Sequence, residues 1–203
     1  MDITIEELNK KNVDDVHQVD GTFSINSKLV LTVKDNKISY TVVDVPEYKK
    51  KYKKDDIDYS EYINNPDKVI YLAYINDEIA GQIILRKNWN NYAYIEDISV
   101  DKKYRRKGIG KLLILYAKKW AKTKKLAGIM LETQNNNVAG CTLYEKCGFV
   151  LGGLDVYLYE GLHPDTDEIA LYWYYHLKDD HSIRSQNHIN TDKNVNHESH
   201  NNC

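Results

Sequence analysis

This chain has no apolar run near the ~20 residues that a helical membrane span requires. Its first residues, Met1-Asp2-Ile3-Thr4, contain neither a basic stretch nor an apolar one, so a secretory signal is not expected. Cysteine is scarce. Cys141, Cys147 and Cys203 make an odd count, and none stands in a CxxC or other metal-type spacing. Reduced thiols and a cytoplasmic setting are therefore expected. Net charge is almost absent too, at −2, which leaves no basic field to attract nucleic acid. His181, His188, His197 and His200 follow no regular ligand spacing, so no metal is expected.

Tyrosine is abundant. The apolar share is only 42%, and 17 tyrosines make up part of the shortfall. Tyr is amphipathic, so such rings suit a pocket wall or a sheet surface better than a dry core. A length of 203 residues fits one domain of ordinary size. We place that domain at residues 1–178 and read the Asn-, His- and Asp-rich stretch Asp179–Cys203 as a disordered tail.

Hydrophobic periodicity orders the domain. Lys28–Val33 and Ile38–Asp44 form a predicted hairpin about Lys34-Asp35-Asn36-Lys37, and Tyr48–Ser60 reads as a solvated, charged loop or helix face. Val69–Ile75 and Ile79–Arg86 form a second hairpin, followed by a strand over Tyr92–Val100. The period changes at Gly108. Ile109, Leu112, Leu113, Tyr116, Ala117 and Trp120 then follow the spacing of an amphipathic helix. A strand over Gly128–Thr133, a helix over Asn137–Cys147 closed by Gly148, and strands over Phe149–Tyr159 and Glu168–His176 complete the order. The class is mixed α/β.

Arg105-Arg106-Lys107-Gly108-Ile109-Gly110-Lys111 joins strand to helix, and three phosphate-binding motifs compete for it. A Walker loop needs a glycine at 105 and Ser or Thr at 112, where Arg105 and Leu112 stand. A dinucleotide fingerprint needs a third glycine at 113, where there is Leu113. An Arg-x-x-Gly-x-Gly turn fits. Glycines let backbone amides converge on a diphosphate at a helix start, and the basic side chains add charge.

Four pieces in order carry a resemblance to the GNAT acetyltransferase superfamily over roughly Val69–Val156. They are Tyr94-Ile-Glu-Asp-Ile-Ser-Val100, the glycine turn, Leu131-Glu-Thr133, and Asn137-(x6)-Tyr144-Glu-Lys-Cys-Gly-Phe149. The resemblance implies a mostly antiparallel central sheet flanked by helices, with acetyl-CoA as cosubstrate. It implies that the backbones of Ile98, Ser99 and Val100 lie along the pantetheine arm. It places the diphosphate on Arg105 to Lys111. Gly140 stands where the superfamily usually has Ala. Arg86-Lys-Asn-Trp89 with Tyr92–Asp97, then Met130–Gln134 and Tyr172-Trp-Tyr174, resembles more narrowly the streptothricin acetyltransferases. Members of that group acetylate the β-lysine portion of streptothricin and so confer antibiotic resistance. A small cationic substrate is thereby implied, and a homodimer is expected by analogy, with the late Tyr-rich strand as its candidate surface.

Acetyl transfer to a lysine-like amine meets a protonation problem, because roughly one part in a thousand of such an amine is neutral at pH 7. A carboxylate can anchor the ammonium and take its proton. Glu96, Asp97 and Glu132 are the candidates. Strand parity puts Glu96 on the face of Ile98 and Val100, and Asp97 opposite unless the strand bulges. Each also reads as a surface or ion-paired acid. The resemblance makes Tyr144 the general acid toward the departing sulfur, against packing beneath the Gly-Phe turn. Asn137 caps its helix, binds the cofactor arm, or both. Trp89, Tyr92 and Tyr94 are aromatic walls for a cation or strand packing residues, with Trp89, Tyr94 and Asp97 taken as substrate contacts. Cys147 has no basic neighbour in sequence and is not expected to act as a nucleophile. A polyamine or protein N-acetyltransferase, or a non-catalytic acyl-CoA-binding module, stays open as an alternative.

Overall fold

The structure is a computed structural model that describes residues 2–51 and 58–177. The stretch read as a tail lies outside the described residues, as does the middle of the charged run after Tyr48. Strands β1 (Thr4–Glu7), β2 (Phe23–Lys34), β3 (Lys37–Lys50), β4 (Lys68–Ile75), β5 (Glu78–Lys87) and β6 (Ala93–Val100) precede helix α1 (Ile109–Thr123). Then come β7 (Gly128–Gln134), α2 (Val138–Lys146), β8 (Val150–Asp155) and β9 (Ala170–His176). Seven strands form one sheet in the order β1-β4-β5-β6-β7-β9-β8, and β2 pairs with β3 apart from it. Every ladder is antiparallel except β6–β7. This is the mixed, mostly antiparallel fold expected.

Alternation decides which residues hold the sheet to its two layers. On one face Val69, Ile83, Leu85, Ala93, Ile95, Ile129, Leu131, Leu171 and Trp173 pack with α1 and α2. On the other, Ile70, Leu72, Tyr74 and Ile84 pack with Leu8, Val16, Tyr59 and Tyr62. Val16, Tyr59 and Tyr62 belong to short 3-10 turns at Val13–His17 and Tyr59–Tyr62. Removing each such side chain from water contributes about 1.5–3 kcal/mol. The buried stripe of α1 runs through Ile109, Leu113, Ile114, Ala117, Trp120 and Ala121. Tyr116 stays at its rim, edge-on to Tyr71 at 5.3 Å.

Two expected hairpins are present with tighter turns than their sequences suggest. Asp35 and Asn36 both take left-handed φ, 50° and 58°, and close a two-residue turn between Lys34 and Lys37. Asn76 and Asp77 do the same at 49° and 62°. Two expectations need correction. Tyr48–Lys50 is strand rather than loop, because β3 continues its pairing with β2 as far as Phe23–Lys50. The strand after Phe149 ends at Asp155, not Tyr159. The Tyr-rich β9 lies inside the sheet, paired with β7 on one side and β8 on the other.

The long β2–β3 arm is tied to the sheet at one level. Leu29 N–H donates to the Asn135 carbonyl at 2.8 Å, and Asn135 Nδ2 returns a bond to the Leu29 carbonyl at 3.2 Å. Tyr40 reaches Glu145 of α2 at 2.5 Å, Lys28 pairs with Asp167 at 2.5 Å, and Lys50 pairs with Glu168. The arm therefore braces the segments on either side of α2 and β9.

The β7–β9 ladder leaves no room at its first residue. A Cβ at Gly128 would lie 1.9 Å from the Tyr175 carbonyl oxygen. Gly128→Ala is expected to destabilise the protein by at least about 2 kcal/mol in urea unfolding. Gly161→Ala, where a Cβ meets nothing within 4 Å, should change stability little. Equal effects of the two substitutions would contradict this packing.

Candidate active site

β6 and β7 run side by side only briefly. Their ladder covers Ala93–Ile95 against Ile129–Leu131 and then stops. Beyond it the strands part, and Glu96 on one side and Glu132 on the other are the first residues of the fork. The stretch Glu96–Val100 is about 16 Å long at strand rise. Asp101 N–H donates to the Ala80 carbonyl at 3.0 Å, so in this stretch the odd-numbered residues Asp97 and Ser99 face β5. The alternation of a strand then turns the backbones of Ile98 and Val100 to the open side. The Ser99 backbone instead belongs to the β5 ladder, opposite Gln82.

The glycine turn closes the far end of this open edge. Arg105 Nε donates to the Val100 carbonyl at 3.1 Å, which ties the turn to the strand. Arg106 and Gly108 take left-handed φ, 64° and 88°. Gly108 is the N-cap of α1 and has no side chain to cap with; the first helical bond is Leu112 N–H to the Gly108 carbonyl. The amides of Ile109, Gly110 and Lys111 precede that bond and form a ready anion cradle. The Ile109 side chain is in the core, so only its amide faces a ligand. Lys107 lies over the Tyr104 ring at 5.1 Å, and Lys111 is exposed. The two glycines differ in purpose. Gly108 supplies the positive φ, whereas a Cβ at Gly110 would stand 3.0 Å from Leu143, so Gly110 lets α2 approach.

That close approach brings α2 to the fork. Tyr144, 5% exposed, packs its ring at 5.9 Å from Phe149 and 6.3 Å from Trp173. Trp173 is paired with Leu131, the last β7 residue before the fork. Packing beneath the Gly-Phe turn is therefore real, and it holds Tyr144 at the level where the strands part. Asn137 is the N-cap: its Oδ1 accepts from Gly140 N–H and its Nδ2 donates to Thr133 Oγ1, both at 3.1 Å. A Cβ at Gly140 would meet Asn137 Nδ2 at 2.7 Å, so glycine leaves this cap its room.

Strand parity fails at Glu96. The β5–β6 register shifts between Ile84–Asp97 and Leu85–Ile95, which leaves Glu96 as the extra residue of a bulge. Ile98 and Val100 face the helix-side core as expected. Glu96, expected with them, is turned to the opposite face. There it accepts from Arg86 Nε at 3.0 Å and from the Tyr62 hydroxyl at 2.7 Å. Asp97 shares that face, accepting from Gln82 Nε2 at 2.6 Å and Ser99 Oγ at 3.1 Å. Gln82 Oε1 beside it is buried without a hydrogen-bond partner among the described residues. Tyr94 lies on the same face beneath Arg86, 4.8 Å from the guanidinium carbon.

Glu132 faces the same side from β7. It accepts from the Tyr159 hydroxyl. Burial pushes its carboxyl above the usual range; the Tyr159 bond and the Lys50 charge oppose that, and Glu168 adds to it. Burial raises the Tyr94 hydroxyl as well, with the Glu132 charge next in effect. Three carboxylates thus line one face of the fork. Trp89 does not join them: it stands in the β5–β6 turn, 92% exposed. Tyr92 packs away from them, edge-on to Tyr174 at 5.5 Å. Tyr159 was not anticipated from sequence, where it reads as a strand end; Asp155 and the Gly161-Leu162-His163-Pro164 stretch are the turn signals that mark a loop.

Among the described residues no group of three His, Cys, Asp or Glu side chains is placed to hold a metal, and no helix is long and apolar enough to cross a membrane. The model of the acetyltransferase (GNAT) family matches residues 37–149. Streptothricin acetyltransferase A of Bacillus subtilis (strain 168) is 37% identical over 172 residues, 84% of this chain and 98% of that protein. A streptothricin acetyltransferase of Escherichia coli is 40% identical over 165 residues, 81% of this chain and 83% of that one. A crystal structure from Bacillus anthracis str. Ames, assigned as a streptothricin acetyltransferase and holding acetyl coenzyme A, superposes with a TM-score of 0.80. It is 53% identical and spans 87% of this chain and 98% of its own.

The thiols near the fork are poor nucleophiles. Burial pushes Cys141 up to about 12 and raises Cys147, against the opposing charge of Lys118. Iodoacetamide at mildly alkaline pH is expected to leave Cys141 unmodified in the folded protein and to label it on unfolding, read by peptide mass. Rapid labelling of Cys141 in the native state would contradict this.

Proposed function

The chain belongs to the GNAT acetyltransferase family, and from that premise we propose that it acetylates an amine of the β-lysine moiety of streptothricin by direct attack. The observation that carries the reading is the fork itself. An anion cradle at a helix start leads, along an open strand edge, to a point where three carboxylates face one side. The residues fit acetyl-CoA in their order. The amides of Ile109 to Lys111, with Arg105, Arg106, Lys107 and Lys111, would hold the diphosphate, and Ile98 and Val100 would hold the arm. Acetyl-CoA supplies an acyl group already activated as a thioester.

The three carboxylates divide the work by environment. Glu96 is ion-paired to Arg86 and bonded to Tyr62, so it fixes the bulge and the acidic character of the face. Asp97, with Gln82 and Tyr94 beside it, anchors the substrate ammonium through acceptors and a ring face. Glu132 is the general base. Its carboxyl is raised by burial, and a base nearer the working pH accepts a proton from an amine more readily than an ordinary carboxylate does. Glu132 takes one proton from the substrate ammonium, directly or through one water, and the neutral nitrogen then attacks the thioester carbonyl to form the carbon–nitrogen bond. As the carbon–sulfur bond breaks, Tyr144 gives its hydroxyl proton to the departing sulfur and recovers one from the newly acylated nitrogen. Its burial among Phe149 and Trp173 keeps the donor fixed and excludes competing water. No acyl-enzyme is needed, in keeping with the inert thiols. Trp89 takes no part.

Mixing the protein with acetyl-CoA and streptothricin should release CoA thiol and give a product heavier by one acetyl group. Absence of release above background would sink the substrate while leaving the family intact. Tyr144→Phe and Glu132→Gln should each lower kcat by roughly 10²-fold or more, with acetyl-CoA affinity by calorimetry little changed. Wild-type kcat in either variant would remove that residue from the mechanism.

A further inference from the structure

Tyr159 lies in the β8–β9 connection, outside every motif recognised above. It is 9% exposed, and its hydroxyl donates to Glu132. The backbone beneath it is a run of linked turns. Asp155 Oδ1 accepts from Tyr157 N–H at 2.8 Å and Leu158 N–H at 3.1 Å. The Tyr159 carbonyl accepts from Leu162 N–H at 3.0 Å and His163 N–H at 2.9 Å. The other end of the connection is pinned as well. Ile169 N–H donates to Asn135 Oδ1 at 3.0 Å, and Glu168 binds Lys50 and Asn136. A Tyr on so constrained a loop presents its hydroxyl at a fixed point.

We infer that Tyr159 is a positioning residue for acetyl transfer, whose hydroxyl holds the Glu132 carboxylate at the mouth of the β6–β7 fork. The inference rests on the reading of Glu132 as general base. A single O–H donor fixes one carboxylate oxygen and leaves the other for the amine or a water. It also stabilises the charged form of a carboxylate that burial disfavours. The groups around Glu132 are Lys50 of β3, Glu168 before β9, Tyr172 of β9, Tyr94 of β6 and Tyr159 itself. Lys50 acts in the same direction as Tyr159 but is already shared with Glu168, so Tyr159 supplies the direct contact. Through Tyr159 the β8–β9 connection, exposed at Tyr157 and Leu162, acts on the base without touching the transferred group.

The test is Tyr159→Phe, which keeps the ring and removes only the hydroxyl. Carboxyl 13C NMR titration of the protein without ligands, with Glu132→Gln used to assign the resonance, reads the base directly. The Glu132 midpoint should move to higher pH in Tyr159→Phe. With acetyl-CoA and streptothricin the acidic limb of kcat/KM should move the same way, so that activity on that limb falls roughly tenfold while the alkaline plateau changes less. An unmoved Glu132 midpoint in a folded Tyr159→Phe protein overturns the inference. A moved midpoint together with full turnover in Glu132→Gln upholds the Tyr159 contact and instead removes Glu132 as base.

Discussion

The parting of β6 and β7 after Ile95 and Leu131 is the constraint on which the rest of this molecule depends. A parallel pair that stops after three residues leaves the backbone groups of Ile98 and Val100 turned to an open edge in the middle of a seven-strand sheet. Such an edge is costly unless something pairs with it. An extended ligand with amide groups is the natural complement, and the helix start at Gly108 fixes where its charged end lies. The core on one side of the sheet, from Val69 to Trp173, keeps both strands in place so that the gap does not collapse.

Charge at the fork is arranged by the same geometry. A bulge of one residue moves Glu96 from the helix side to the face that carries Asp97, and Arg86 and Tyr62 hold it there. Glu132 arrives on that face from the neighbouring strand. The three acids are not equivalent. Glu96 is balanced by a guanidinium, Asp97 is held by the amide of Gln82 and the hydroxyl of Ser99, and Glu132 is buried enough for its proton to be held more tightly than usual. On the function we propose, one strand pair thereby provides both attraction for a cation and a base to deprotonate it.

Much of this was legible in the sequence because it is local. Apolar runs located β4 to β7, the 3.6 period located α1, and Gly108 marked where that helix starts. The remainder depends on partners that a linear reading does not see. The bulge at Glu96 exists only relative to β5, so parity placed that carboxylate on the wrong face. Gly110 looked like a phosphate glycine, yet its missing Cβ serves Leu143. Strand β1 and the 3-10 turns are too short for periodicity to reveal. Tyr159 was lost because the strand before it was read four residues too long. Trp89, an aromatic in a suggestive stretch, proved to be a solvent-facing turn residue.

The central claim is that the reacting groups meet where β6 and β7 part. A crystal structure of the protein with CoA and streptothricin tests it most directly. The account predicts the CoA arm along Glu96–Val100, the sulfur within hydrogen-bond reach of the Tyr144 hydroxyl, and a substrate amine beside Glu132. An arm bound elsewhere, or an amine seated against Glu96 with Glu132 turned away, would contradict it.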